Sequence, residues 1–213
     1  MSQLKLTADG GGGTVAIKGP ASTTGNNPFE LIVPGTASTT LDTLNRAGNI
    51  LQVKQTVKVN TFSTDSTSFV DITDFHVDIT PNSASNKFLV SVDLKIGPSN
   101  TQSGAPYANL VRVIGGTSYP DIYKGTVDGN KTSASWGRED NPRDGYFGYE
   151  VLPLHLSFLD SISGVWSSGS IRYKIQMMDL NGTSSYVNRV SNENNTVQYP
   201  RTASSITVME VAV

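Results

Sequence analysis

Cysteine is absent from the 213 residues, which excludes a disulfide framework and a thiolate metal site and leaves the redox compartment unspecified. Charge is scarce as well. Only 16% of residues are charged and the formal net charge is -2, so there is no basic field for sequence-independent binding of nucleic acid or of an anionic membrane. No stretch reaches the roughly 18 apolar residues that would span a bilayer. Met1-Ser-Gln-Leu-Lys-Leu6 lacks the apolar run of a secretory signal, so a soluble chain is expected. Helical periodicity is almost missing too. Stability is left to packing or to association.

What the chain has is Ser, Thr, Asn and 20 glycines around short alternating apolar runs, the residues of turns and exposed strand faces. Leu154, Leu156 and Phe158 alternate with His155 and Ser157; Ile171, Tyr173, Ile175 and Met177 alternate with Arg172, Lys174 and Gln176. That period of two marks half-buried strands. Asp160–Gly164 and Ser167–Ser170 supply turn residues between them, so the two runs are expected to pair as a long antiparallel hairpin, to which the rest of the chain beyond residue 50 adds strands. From Ile50, Leu51, Val53, Val57 and Val59 share one face, with Gln52, Lys54, Thr56 and Lys58 on the other. Ser63–Ser68 reads as a turn, Phe69–Asp71 and Phe75–Ile79 as short strands, Phe88–Ile96 and Tyr107–Ile114 as longer ones, and Ser185–Val190 as a short one. Residues 115–149 are expected to form long loops. In the last strand Ile206 and Val208 share a parity that Met209, Val211 and Val213 do not. Either a bulge shifts the face there or both faces are covered, as at a subunit interface. Eight to ten such strands with almost no helix predict an all-β, antiparallel, jelly-roll-like sandwich over 50–213.

Ahead of it, residues 1–35 hold three β-prone runs, Leu4–Thr7, Thr14–Lys18 and Phe29–Val33, separated by Gly10–Gly13 and Gly19–Pro28. None can form a core alone. Val15, Ile17, Phe29, Leu31 and Val33 are then candidates either for a flexible arm or for contacts completed by other subunits or by a docking partner. Residues 36–49 form a connector in which Leu41, Leu44 and Ala47 share a helical face that Gly48-Asn49 can end; an extended linker is the alternative. Leu41 and Leu44 join the candidate oligomer contacts.

Asn45–Val53, Phe75–Lys87, Leu156–Asp160, Tyr186–Arg189 and Ala203–Glu210 together resemble fibre-like virion proteins, tail or head fibres, of marine tailed bacteriophages, including cyanophages. The resemblance covers roughly residues 45–213, and Gly13–Pro20 and Phe29–Pro34 are similar to the segment that precedes the β domain in such fibres. It implies a homotrimeric appendage on the phage particle surface, held to other virion proteins through its N-terminal part, with a distal β domain that meets the host. With only about fifty residues before that domain, a short spike or a capsid-attached fibre fits better than a long tail fibre.

Chemistry-bearing patterns are sparse. His76 and His155 lie opposite the apolar parity of their strands. No G-x-S-x-G surrounds a serine, no histidine spacing suggests a metal, and no cofactor is implied. Asp121, Asp128, Glu139, Asp140 and Asp144 are of the type a glycan hydrolase needs, without a distinguishing arrangement. Gly10–Gly13 lacks the Lys-Ser/Thr of a phosphate loop. The remaining signal is the crowding of Tyr119, Tyr123, Trp136, Tyr146, Phe147 and Tyr149 among Asp, Asn and Arg. Such rings can grip a host glycan or protein, or they can anchor long loops to the sandwich. The expected role is a non-enzymatic virion fibre or spike that displays a receptor-binding β domain. The alternatives are a capsid decoration protein, and a carbohydrate-binding module or glycan hydrolase.

Overall fold

The computed structural model describes residues 46–99, 104–138 and 149–213. The arm over 1–35 and the connector as far as residue 45, with Val15, Ile17, Phe29, Leu31, Val33, Leu41 and Leu44, lie outside the described residues. So do Glu139, Asp140, Asp144, Tyr146 and Phe147.

Among the described residues eleven strands run in chain order: β1 (Ile50–Lys58), β2 (Phe62–Thr64), β3 (Val70–Ile79), β4 (Lys87–Gly97), β5 (Pro106–Ile114), β6 (Thr117–Tyr119), β7 (Trp136–Gly137), β8 (Leu152–Ser161), β9 (Ile171–Asp179), β10 (Ser185–Val187) and β11 (Ser204–Val211). They form two antiparallel sheets. One is ordered β1-β11-β4-β10-β2, with β8 on the other side of β4; the second is β3-β9-β5-β6, with β7 also on β5. With the short β2, β7 and β10 set aside, the eight remaining strands follow the order first-eighth-third-sixth and second-seventh-fourth-fifth. That is the jelly-roll arrangement. Between the sheets lies one apolar core, with Phe75, Phe88, Leu94, Ile96, Leu110, Leu154, Ile171, Tyr173 and Met177 all fully buried.

The expected hairpin of 154–177 does not form. β8 pairs with β4, from Lys87↔Ser161 to Ile96↔Leu152, while β9 pairs with β3 and β5 in the opposite sheet. Ile162 is buried in the core and its carbonyl accepts from Val165 N and Trp166 N, both at 3.1 Å. Residues 162–170 therefore arch from one sheet to the other, a gap of about 10 Å, and the apolar faces of β8 and β9 meet across the core instead of lying side by side. Phe69–Asp71 and Phe75–Ile79 are not separate strands either. They join as β3, whose register slips between Asp71 and His76 at the left-handed Asp74 (φ 57°). The tight turn between β5 and β6 is Gly115-Gly116, both at positive φ (55° and 84°), the type I′ geometry that suits the strand twist.

β1 turns its polar face inward. Lys58 is 3% exposed, whereas Val53 and Val57 are 52% and 54% exposed. The cause is the edge: β1 pairs with β11 on one side only, and on the other its inward side chains donate to backbone carbonyls of β3 and the residue after it. Gln52 Nε2 reaches Thr80 O at 2.7 Å, Thr56 Oγ1 reaches His76 O at 2.6 Å and Lys58 Nζ reaches Thr73 O at 2.8 Å. Side chains thus close the sandwich where no ladder exists. Burial pulls the Lys58 ammonium below its ordinary pKa, against the opposing charge of Asp74.

Candidate functional site

Of the six rings singled out in the sequence, Tyr119, Tyr123 and Trp136 pack partly buried against the core. Tyr123 lies 5.0 Å from the Phe158 ring and Arg112 sits 4.9 Å from the centre of the Tyr119 ring. Ser135 ties their loop down: its amide donates to Ala108 O at 3.0 Å, and its hydroxyl accepts from Leu110 N at 2.9 Å and donates to Tyr123 O. Asp121, Ile122, Tyr123, Lys124, Gly125, Ala134 and Ser135 line a shallow depression of about 440 Å³ on this loop, with a Lys124–Asp121 ion pair at 3.1 Å on its rim. Asp128, exposed, pairs with Lys131.

Tyr149 belongs to a different place. It is exposed and stacks on Tyr199 at 5.8 Å, beside a depression of about 240 Å³ lined by Arg189, Glu193, Asn194, Asn195, Tyr199 and Arg201. Glu193 bridges the two arginines, and Arg189 covers the Tyr186 ring at 3.9 Å. The sequence reading did not single out this loop. Its signal was the Asn-rich stretch 192–195 between arginines.

Three buried polar clusters also went unread. Arg112, Asp160 and Tyr173 meet inside the sandwich: Arg112 Nη1 lies 2.7 Å from both carboxylate oxygens of Asp160, and Tyr173 OH donates to Oδ2 at 2.7 Å. Burial first, then the Asp160 charge, push the Tyr173 phenol far above its usual range. At the sheet end, Glu210 is fully buried and accepts from Asn82 N, Asn82 Nδ2 and Asn86 Nδ2, each at 2.7 Å, and from Gln52 Nε2. Burial alone would raise its pKa, but these bonds outweigh it and hold the carboxyl below its ordinary range. The third cluster centres on Asn188, at φ 62°, whose amide nitrogen donates to Lys58 O (2.8 Å) and Asn60 O (3.1 Å) and whose oxygen accepts from Ser204 Oγ (2.6 Å). All three fasten strands to one another.

The histidines sit on outer faces. His155 Nδ1 is 3.2 Å from Asp93 Oδ1, the orientation a general base needs, yet Asp93 is shared with Lys95 and the structure shows no hydroxyl bonded to His155 among the described residues. His76 is 3.7 Å from Asp78. No group of three or more His, Asp or Glu is placed to hold a metal among the described residues.

The two outer faces of the sandwich differ. On the β3-β9-β5 sheet, Arg172 grips Asp78 through two bonds of 2.8 Å, and Lys174 (2.7 Å) and Gln176 (2.8 Å) both donate to Asp71. The Arg172 bonds lower Asp78; for Asp71 burial acts upward, and the Lys174 and Gln176 bonds carry it down. This is a solvated, charged face. On the β1-β11-β4-β8 sheet, one cross-strand row is Val53, Met209, Leu89 and Leu159. Val53 and Leu159 are about half exposed, at 52% and 50%. β11 keeps an unbroken register with β4 from Ser205 to Val211, so the apolar side chains Met209 and Val211 do face outward without a bulge.

No protein-family model matches the chain, and no curated protein matches it. Among solved structures it is similar to the infectious bursal disease virus VP2 subviral particle, with a TM-score of 0.38 and 15% identity over 86% of this chain and 45% of that one. It is also similar to structures of the Gx strain (TM-score 0.34, 17% identity, 87% and 42% covered) and Gt strain (0.35, 13%, 87% and 41%) of infectious bursal disease virus. The chain spans less than half the length of these solved structures.

Proposed function

We propose that this chain is a non-enzymatic structural protein of a phage particle, a short fibre or spike that associates as a homotrimer and displays its β domain to the host. The observation that carries the reading is the unlike pair of outer faces. A sandwich that worked alone in water would be expected to solvate both, and here one is built from ion pairs and the other carries an apolar row. The resemblance of residues 45–213 to marine phage fibres supports the same setting. In this reading residues 1–35 dock the protein to other virion proteins, and the loops within 115–149 meet a host glycan or protein.

The test is direct. Mass spectrometry of purified particles should find the protein, light scattering should give three times the 22.7 kDa chain mass, and deletion of residues 1–35 should abolish incorporation into particles. Incorporation of the truncated chain would remove the docking role, and particles without the protein would remove the whole assignment. Unchanged host adsorption after substitution of the exposed Tyr149 and of Tyr146 and Phe147 would remove the receptor role.

A further inference from the structure

We infer that the outer face of the β8-β4-β11-β1 sheet is the surface on which a second copy of this chain seats, with Val53, Met209, Leu89 and Leu159 at its centre. This deepens the reading of the chain as an assembling virion protein by naming the surface that assembles.

Strand register places those four side chains in one line across four strands. The next row along the sheet is Gln55, Thr207, Ser91 and Ser157, which holds no charge. Charges stand only beyond this double row, with Lys87 at one end and Asp93, Lys95 and His155 at the other. Ser91, Ser157, Ser205 and Thr207, all small, floor a shallow depression of about 400 Å³ between the apolar row and the Asp93–His155 pair. The centre therefore presents apolar surface and a recess, with no charge there to oppose a neighbouring copy in the assembly. Exposed Ile50, Val57 and Val59 extend the apolar surface along β1 and past its end.

Area selects the occupant. Four strands over nine residues make a face of about 19 Å by about 30 Å, roughly 570 Å² before side-chain corrugation is counted. Corrugation raises the accessible area towards the ~800 Å² per partner that a stable protein interface buries. A second copy is the right size.

The experiment uses the full chain with Val53→Lys and Leu159→Lys together. Both side chains are half exposed, so the sandwich should keep its far-UV circular dichroism and melting temperature. Sedimentation velocity should show the wild type associated, and the double variant dissociating with at least a roughly hundredfold weaker association constant, as expected for charges forced into an interface centre. Val127→Lys and Leu180→Lys, exposed apolar positions outside this sheet, should leave association unchanged. A monomeric wild type, or a double variant that associates as tightly as the wild type, overturns the inference. The virion assignment is judged separately by the protein's presence in particles. Particles that contain a protein whose association survives the double substitution would refute this surface and leave that assignment standing.

Discussion

Removing the Asp160 carboxylate tests how the interior of the sandwich is held. Asp160 is 3% exposed, both its oxygens are 2.7 Å from Arg112 Nη1, and Oδ2 also accepts from Tyr173 OH. Arg112 Nη1 has one further partner, Ser161 O at 3.1 Å, while Arg112 Nε is buried without one. Asp160→Ala therefore strands a guanidinium in the core. Deleting one partner of a buried pair costs about 3–5 kcal/mol, a large part of a typical domain stability of about 5–15 kcal/mol. At about 2–4 °C per kcal/mol for a domain of this size, the melting temperature should fall by roughly 6–20 °C. Arg112→Met combined with Asp160→Leu removes both charges and fills the space, so the pair should cost clearly less than Asp160→Ala alone. Tyr173→Phe loses one hydrogen bond to a charged group and should cost about 1.5–3 kcal/mol. Urea unfolding followed by circular dichroism measures all three. A loss below about 1 kcal/mol for Asp160→Ala, or a double variant as costly as the sum of its single substitutions, would refute the assignment of a paired, desolvated charge.

Three further outcomes follow from the same packing. Glu210 has a folded pKa below its unfolded value, so its contribution is complete above the ordinary glutamate range near pH 4.5 and is lost as pH falls through the depressed value; Glu210→Gln should destabilise the protein at neutral pH and flatten the acid limb of a stability-versus-pH curve. A side chain at Gly97 would place its Cβ 2.1 Å from Arg189 O, and Gly97→Ala should cost about 1–3 kcal/mol or more by forcing β4 and the Arg189 segment apart, seen as a lower urea midpoint. Trp136→Ala, which strips a half-buried ring from the core margin, should cost about 2 kcal/mol, whereas Tyr149→Ala, on an exposed ring, should stay within about 0.5 kcal/mol in thermal melts.

By itself the sequence determined that the chain is all-β and where most strands lie, because alternation is a local property: Phe88 to Ile96 and Ile171 to Met177 each carry their two faces in their own spacing. Parity does not say which face turns inward. For β1 the tertiary structure decided this, since an edge strand with no ladder partner towards β3 uses Gln52, Thr56 and Lys58 as donors and leaves its valines outside. It decided likewise that residues 162–170 arch between sheets, because burial of Ile162 is a long-range outcome that turn residues do not encode. The site was legible only in part. Aromatic crowding pointed to Tyr119, Tyr123 and Trp136, but whether a ring anchors a loop or faces water depends on neighbours such as Phe158 and Ser135 that are distant in the chain. The Arg112–Asp160–Tyr173 cluster and the Val53–Met209–Leu89–Leu159 row draw on strands far apart in sequence, so strand register, and for Asp160 the packing of one sheet on the other, brings them together. The two-faced apolar pattern of Ile206–Val213 is the exception: its change of parity pointed either to a bulge or to a second apolar face, and the unbroken register with β4 decided for the second face.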